Sequence, residues 1–196
     1  MKLALLLVCL LTIYVSTQSF DAVLALSWLN GHCEYLSNNG KQCDPALLKK
    51  WDHKSFTIHG LWPQTISATK YGAFDLNAVK GIETELNLHW PPMAEQRRGP
   101  VRFQDKYFLW IHEWDSHGSD FANIYNTLNG KSLPADAQRR DLALQTIYFS
   151  ETLKLFKTIK ARGLAKNPKN QQELAQILGI SAKSLMTRCN PSGNLQ

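Results

Sequence analysis

From Asp136 to Arg162 the apolar residues Leu142, Leu144, Ile147, Tyr148, Leu153, Leu155, Phe156 and Ile159 recur at mostly helical spacing, and the pattern stops at Gly163. A stripe this long predicts an amphipathic helix that must bury its apolar side against another layer. The residues before it supply that layer. "FDAVLALSW" (20–28) is short and apolar and runs into the turn-rich "NGHCEYLSNNGKQC", the pattern of a buried strand entering a loop. "SFTIHGLWP" (55–63) alternates Phe56 and Ile58 with Thr57 and His59 and then meets Gly60 and Pro63, which predicts a strand whose end presents His59. Between 64 and 98 the sequence predicts an irregular excursion with one short helix around Leu76–Leu86. "YFLWIHEWDSHG" reads as a buried strand or helix that stops at Gly118, and "NQQELAQILG" as a second amphipathic helix after Pro168. Strands first and helices later, with no repeat and no linker, predict one α+β domain: an antiparallel central sheet with packed helices.

The chain has 196 residues with 44% hydrophobic content, enough for one core. Its first stretch, "MKLALLLVCLLTIYVSTQS", places Lys2 before an apolar run from Leu3 to Val15, followed by small polar residues. This is the pattern of a secretory signal peptide over residues 1–19, with cleavage near Thr17–Ser19 and a domain spanning 20–196. The run is too short for a comfortable membrane span, so no membrane association is expected once the leader is gone. Lys2 is the only charged side chain in the leader, so its loss takes the formal net charge from +6 to +5. A basic chain of this kind gives weak support to a polyanionic partner. In an oxidising compartment Cys33 and Cys43 are close enough in sequence to close a small disulfide loop, which leaves Cys189 without an obvious partner.

Six histidines occur, at 32, 53, 59, 89, 112 and 117, and most isolated histidines are solvated or hydrogen-bonded rather than catalytic. His112, Glu113 and His117 are different, because they fall within six residues. A zinc helix uses H-E-x-x-H, with the histidines four apart and about 40° from each other around the axis. Here the spacing is five, about 140° on a regular helix, which disfavours one metal held from one face. No metal and no other cofactor is expected.

"FTIHGLWP" (56–63) and "HEWDSHG" (112–118) resemble the two active-site segments of the ribonuclease T2 family, written F-T-x-H-G-L-W-P and H-E-W-x-K-H-G-[TS]-C. The first is matched in full, the second at His112, Glu113, Trp114, His117, Gly118 and Ser119. "HWP" (89–91) and "TIYFSETLKLF" extend the similarity. The resemblance implies a T2-like fold and metal-independent endonucleolytic cleavage of single-stranded RNA, in which the ribose 2′-hydroxyl attacks phosphorus to give a 2′,3′-cyclic phosphate. It implies His117 as the base, His59 as the acid, His112 on a phosphate oxygen and Glu113 supporting charge and proton positions. One neutral and one protonated imidazole suit a single step that needs both a base and an acid. Trp62 is implied as a base-stacking residue, with Tyr71 as a second wall of that pocket. A secreted or vacuolar-lysosomal monomer is the accompanying expectation.

Four departures qualify the resemblance. Ser116 stands where the family has lysine, which removes one positive charge from the substrate-binding site. Gln64 replaces an acidic residue after the proline. Asp120 replaces the cysteine that ends the second segment. The C-terminal "CNPSGNLQ" stops where members continue, which predicts a domain incomplete at its C-terminus. The alternatives are a catalytically weakened RNA-binding or recognition protein on the same fold, and a zinc hydrolase.

Overall fold

The computed structural model describes residues 9–14, 21–28, 56–65, 67, 69–91, 107–129, 132–162, 171–179 and 185–187. Cys33, Cys43, Cys189, His32 and His53 lie outside them, so the expected disulfide falls outside the described residues. Among the described residues four strands form one antiparallel sheet in the order β3-β2-β1-β4. They are β1 (Cys9–Tyr14), β2 (Asp21–Trp28), β3 (Phe56–Pro63) and β4 (Leu185–Thr187). The helices are α1 (Glu83–His89), α2 (Phe108–Glu113), α3 (Ser119–Asn129), α4 (Ala137–Ala161) and α5 (Gln171–Leu178), with a π-helical turn, Trp114–Gly118, joining α2 to α3. The α+β class read from the order of periodicities is the class observed.

β2 shows why the sheet has two faces. Its alternate residues Ala22, Leu24 and Leu26 enter the main core, while Val23 and Ala25 form a small cluster on the opposite face with Trp62 packed against it. β1 lies in the stretch read as a removable leader; with these residues in place, Leu11 pairs with Leu24 of β2 on one side and Leu185 of β4 on the other. The run Cys-Leu-Leu-Thr-Ile-Tyr is made largely of residues that suit a pleated surface.

α4 matches its sequence pattern closely. It starts at the N-cap Asp136, whose side chain accepts the Arg139 N–H at 2.8 Å. Its stripe Leu144, Tyr148, Phe149, Leu153, Phe156 and Ile159 is buried, each large side chain contributing about 1.5–3 kcal/mol by leaving water. Tyr148, fully buried, donates its hydroxyl to the Leu61 carbonyl at 3.2 Å and so fastens α4 to β3. The helix expected around 76–86 divides into a 3₁₀ turn (Leu76–Ala78) and α1. α5 ends at Gly179, whose φ of 67° is the left-handed conformation that terminates helices. Among the described residues no helix is long and apolar enough to cross a membrane.

Candidate active site

His59 was expected at the end of a strand, but it lies within β3. Ala25 of β2 pairs with Gly60 and Leu26 pairs with Ile58, so His59 is the extra residue of a β-bulge. A bulge breaks the two-residue alternation and re-aims a side chain. Ile58 and Leu61, three apart, consequently both enter the main core. The imidazole Nδ1 lies 3.2 Å from Ser27 Oγ, and the His59 carbonyl accepts the Trp90 indole N–H at 2.8 Å. Trp90 is itself held by Trp110, which donates to its carbonyl at 2.8 Å.

The second segment corrects another expectation. Gly118 does not stop a helix; the chain continues helically from Phe108 to Asn129 through the π turn. The Ser119 N–H bonds to the Trp114 carbonyl five residues back, so residues five apart come toward one face. That is the spacing of His112 and His117, which on a regular helix would diverge. Gly118 matters because a Cβ there would overlap the Trp114 ring, which is fully buried and donates to the Gly72 carbonyl at 2.8 Å.

The two segments meet at Trp62. Its indole N–H donates to Glu113 Oε2 at 2.8 Å, its ring stacks on His117 with centroids 5.1 Å apart, and its edge meets His59 at 5.7 Å. Glu113 Oε1 lies 3.4 Å from His59 Nε2 and makes no hydrogen bond. Gly60 leaves room for this arrangement, since a Cβ there would collide with the Glu113 carboxyl and come within 2.6 Å of the Trp62 indole nitrogen.

Electrostatics set the proton inventory. Burial pushes Glu113 up to about 8, opposed by the Trp62 hydrogen bond. Near neutral pH the carboxyl thus keeps a proton beside His59. His117 is held below its ordinary value by burial first and by the charge of His112 second; Asp120 opposes this and Lys70 adds to it. A neutral His117 has a free lone pair for accepting a proton.

The remaining sequence-selected residues lie around this centre. Ser116 Oγ is 3.5 Å from His112 Nδ1, and His112 stacks on Phe108 with centroids 6.1 Å apart. Tyr71 packs against the main core, its backbone N–H 3.5 Å from Ser119 Oγ, while among the described residues the rings against Trp62 are those of the two histidines. Sequence reasoning missed Ser27 and the supporting role of Trp90. Their only signal was position: Ser27 pairs with Thr57, two residues before His59. Among the described residues no three His, Cys, Asp or Glu side chains are grouped to hold a metal.

A model of the ribonuclease T2 family matches residues 21–189. Among curated proteins, ribonuclease DdI of Dictyostelium discoideum is 28% identical over 116 residues, covering 55% of this chain and 44% of that protein. A ribonuclease-like storage protein of Panax ginseng is 36% identical over 100 residues, covering 48% and 36%. Human ribonuclease T2 is 25% identical over 138 residues, covering 70% and 42%. The chain thus spans less than half the length of these relatives. Among solved structures, ribonuclease MC1 from bitter gourd seeds superposes with a TM-score of 0.54 at 22% identity, over 84% of this chain and 77% of that one, a likeness of fold.

Proposed function

The chain belongs to the ribonuclease T2 family, and from that premise we propose that it is an endoribonuclease that cleaves single-stranded RNA by transesterification. One observation carries the reading: a single indole ring touches two imidazoles and one buried carboxyl. In the proposed step His117 takes the proton of a ribose 2′-hydroxyl, and the oxygen attacks the adjacent phosphorus. The bond from phosphorus to the 5′-oxygen breaks, and His59 protonates the departing oxygen. The products are a 2′,3′-cyclic phosphate and a free 5′-hydroxyl. Glu113, protonated and 3.4 Å from His59 Nε2, is a proton reservoir for the acid. His112, with Ser116 beside it, contacts the phosphate, and Trp62 and Tyr71 form the base pocket. Both proton transfers are met by imidazoles, so the step requires no metal ion.

The experiment is incubation of the purified protein with single-stranded RNA in excess chelator, with end-group analysis of the fragments. Cyclic phosphate ends support the reading. Tight RNA binding without such ends identifies a binding protein on this fold, and cleavage abolished by chelator identifies a metal-dependent hydrolase.

The proposal extends to a monomer exported to the cell exterior or a vacuolar-lysosomal lumen, cut near residue 19 and carrying a Cys33–Cys43 disulfide. N-terminal sequencing of the mature protein tests the cut. A chain still starting at Met1 would retain β1 in the sheet and overturn it.

A further inference from the structure

The segment following β3 is held by side chains of the helices. Its far half is fastened to the π turn and α4. Gly72 accepts from Trp114 at 2.8 Å and donates to Asp141 at 3.0 Å, while Gln145 donates to the Ala73 carbonyl at 3.1 Å and accepts the Asp75 N–H at 2.8 Å. The near half, which carries Lys70 and Tyr71, is held differently. Among the described residues its shortest bond to a helix runs from the Ser67 N–H to Asp120 Oδ1, at 2.8 Å. Asp120 lies in the first turn of α3, three residues beyond His117, and is only 5% exposed. A carboxylate this buried is costly unless hydrogen-bonded, and a bond between a carboxylate and a backbone N–H is about twice as strong as a neutral one.

We propose that Asp120 is a positioning residue of the site: its carboxylate fastens the stretch around Ser67, Lys70 and Tyr71 to the helical turn that presents His117. The inference rests on the ribonuclease reading of His117. Two roles follow, and they can be separated. The hydrogen bond fixes where Lys70 and Tyr71 meet RNA. The negative charge favours the protonated form of His117 against burial, His112 and Lys70, with the His59–Glu113 pair reached through Trp62.

The test compares Asp120→Ala, which removes both bond and charge, with Asp120→Asn, which keeps an acceptor oxygen and removes the charge alone. In the full chain, amide hydrogen exchange is followed over the peptide containing Ser67, and kcat and KM for single-stranded RNA are measured across pH. In Asp120→Ala the peptide should exchange on the order of tenfold faster and KM should rise about tenfold, the worth of one charge-assisted bond, with kcat changing less. In Asp120→Asn, which keeps a neutral bond to Ser67, exchange and KM should rise by clearly less than in Asp120→Ala, while the acid limb of kcat/KM moves to lower pH. Unchanged exchange in Asp120→Ala overturns the proposal, as does an equal rise in KM in both variants. Should Asp120→Ala not fold, Asp120→Ser, whose hydroxyl falls short of Ser67, takes its place in the same comparison. If the wild type yields no cyclic phosphate, the ribonuclease reading fails, while the exchange measurement still decides whether Asp120 fastens the segment.

Discussion

Replacing Glu113 by glutamine should change how stability depends on pH. Glu113 is fully buried and keeps its proton to about pH 8, against 4.5 for an ordinary carboxyl. Between these values the folded chain binds a proton that the unfolded chain has released, so stability falls as pH rises through that window. The full difference corresponds to about 5 kcal/mol, of which about 3.5 kcal/mol falls between pH 5 and pH 8, and the His59 imidazole 3.4 Å away offsets part of that, leaving an expected change of about 2–3.5 kcal/mol over this range. His117 and His89 act with the opposite sign. Both are held below the ordinary histidine value, mainly by burial, and so favour the unfolded chain as pH falls below about 6.5. Glutamine at 113 leaves both histidines in place and still accepts from Trp62, so their contribution cancels in a comparison of variant with wild type. Urea denaturation followed by tryptophan fluorescence at pH 5, 6.5 and 8 provides the measurement. The stability advantage of Glu113→Gln over wild type should grow from pH 5 to pH 8 by that amount. An advantage that stayed constant, or shrank, would refute the assignment of a protonated, desolvated carboxyl.

His59→Ala and His117→Ala should each lower the rate of RNA cleavage about 10²–10⁴-fold, because each handles a different proton; comparable activity in the double variant would end the ribonuclease assignment. Ser116→Lys should raise the turnover number more than it lowers KM, since an ammonium beside His112 meets more charge in the transition state than in bound RNA. An unchanged or lower turnover number on a dinucleotide would show a site rebuilt around serine. Gly60→Ala should cost about 1–3 kcal/mol and most activity, because its Cβ enters the space of the Glu113 carboxyl and crowds the Trp62 nitrogen. A wild-type melting temperature with wild-type kinetics would contradict the packing described.

What the sequence made legible were features with a period or a motif. The α4 stripe, the β2 alternation and the paired segments around His59 and His117 all follow from residues close together in the chain. The geometry joining them does not. The bulge at His59 left a trace, the change from two-residue to three-residue spacing between Ile58 and Leu61, but nothing local says which residue is extruded. The π turn was invisible because helical spacing was measured on a regular helix; the contacts that hold Trp114, its bond to Gly72 and its place over Gly118, depend on the folded arrangement. The supports Trp90 and Ser27 reach His59 from 31 and 32 residues away, and Asp120 reaches Ser67 across 53. A leader and an inner strand, moreover, draw on the same apolar vocabulary, as β1 illustrates.

The π turn also bears on how this chain can vary in length. A five-residue turn holds one residue more than the regular helix on either side of it. Removing one residue between 114 and 118 would close the wide turn to a regular one and leave the two flanks nearly in phase, whereas adding or removing a residue in the regular helix beside it would swing everything after it by about 100° relative to what comes before. Glu113 and Trp114 on one side, and Phe121 and Ala122 on the other, are nearly or completely buried and cannot all keep their places through such a rotation. Exchanges of one side chain for another along the exposed flank of this helix should be accepted and insertions or deletions in its regular parts should be purged, which leaves the wide turn between 114 and 118 as the one stretch where its length can change by a residue.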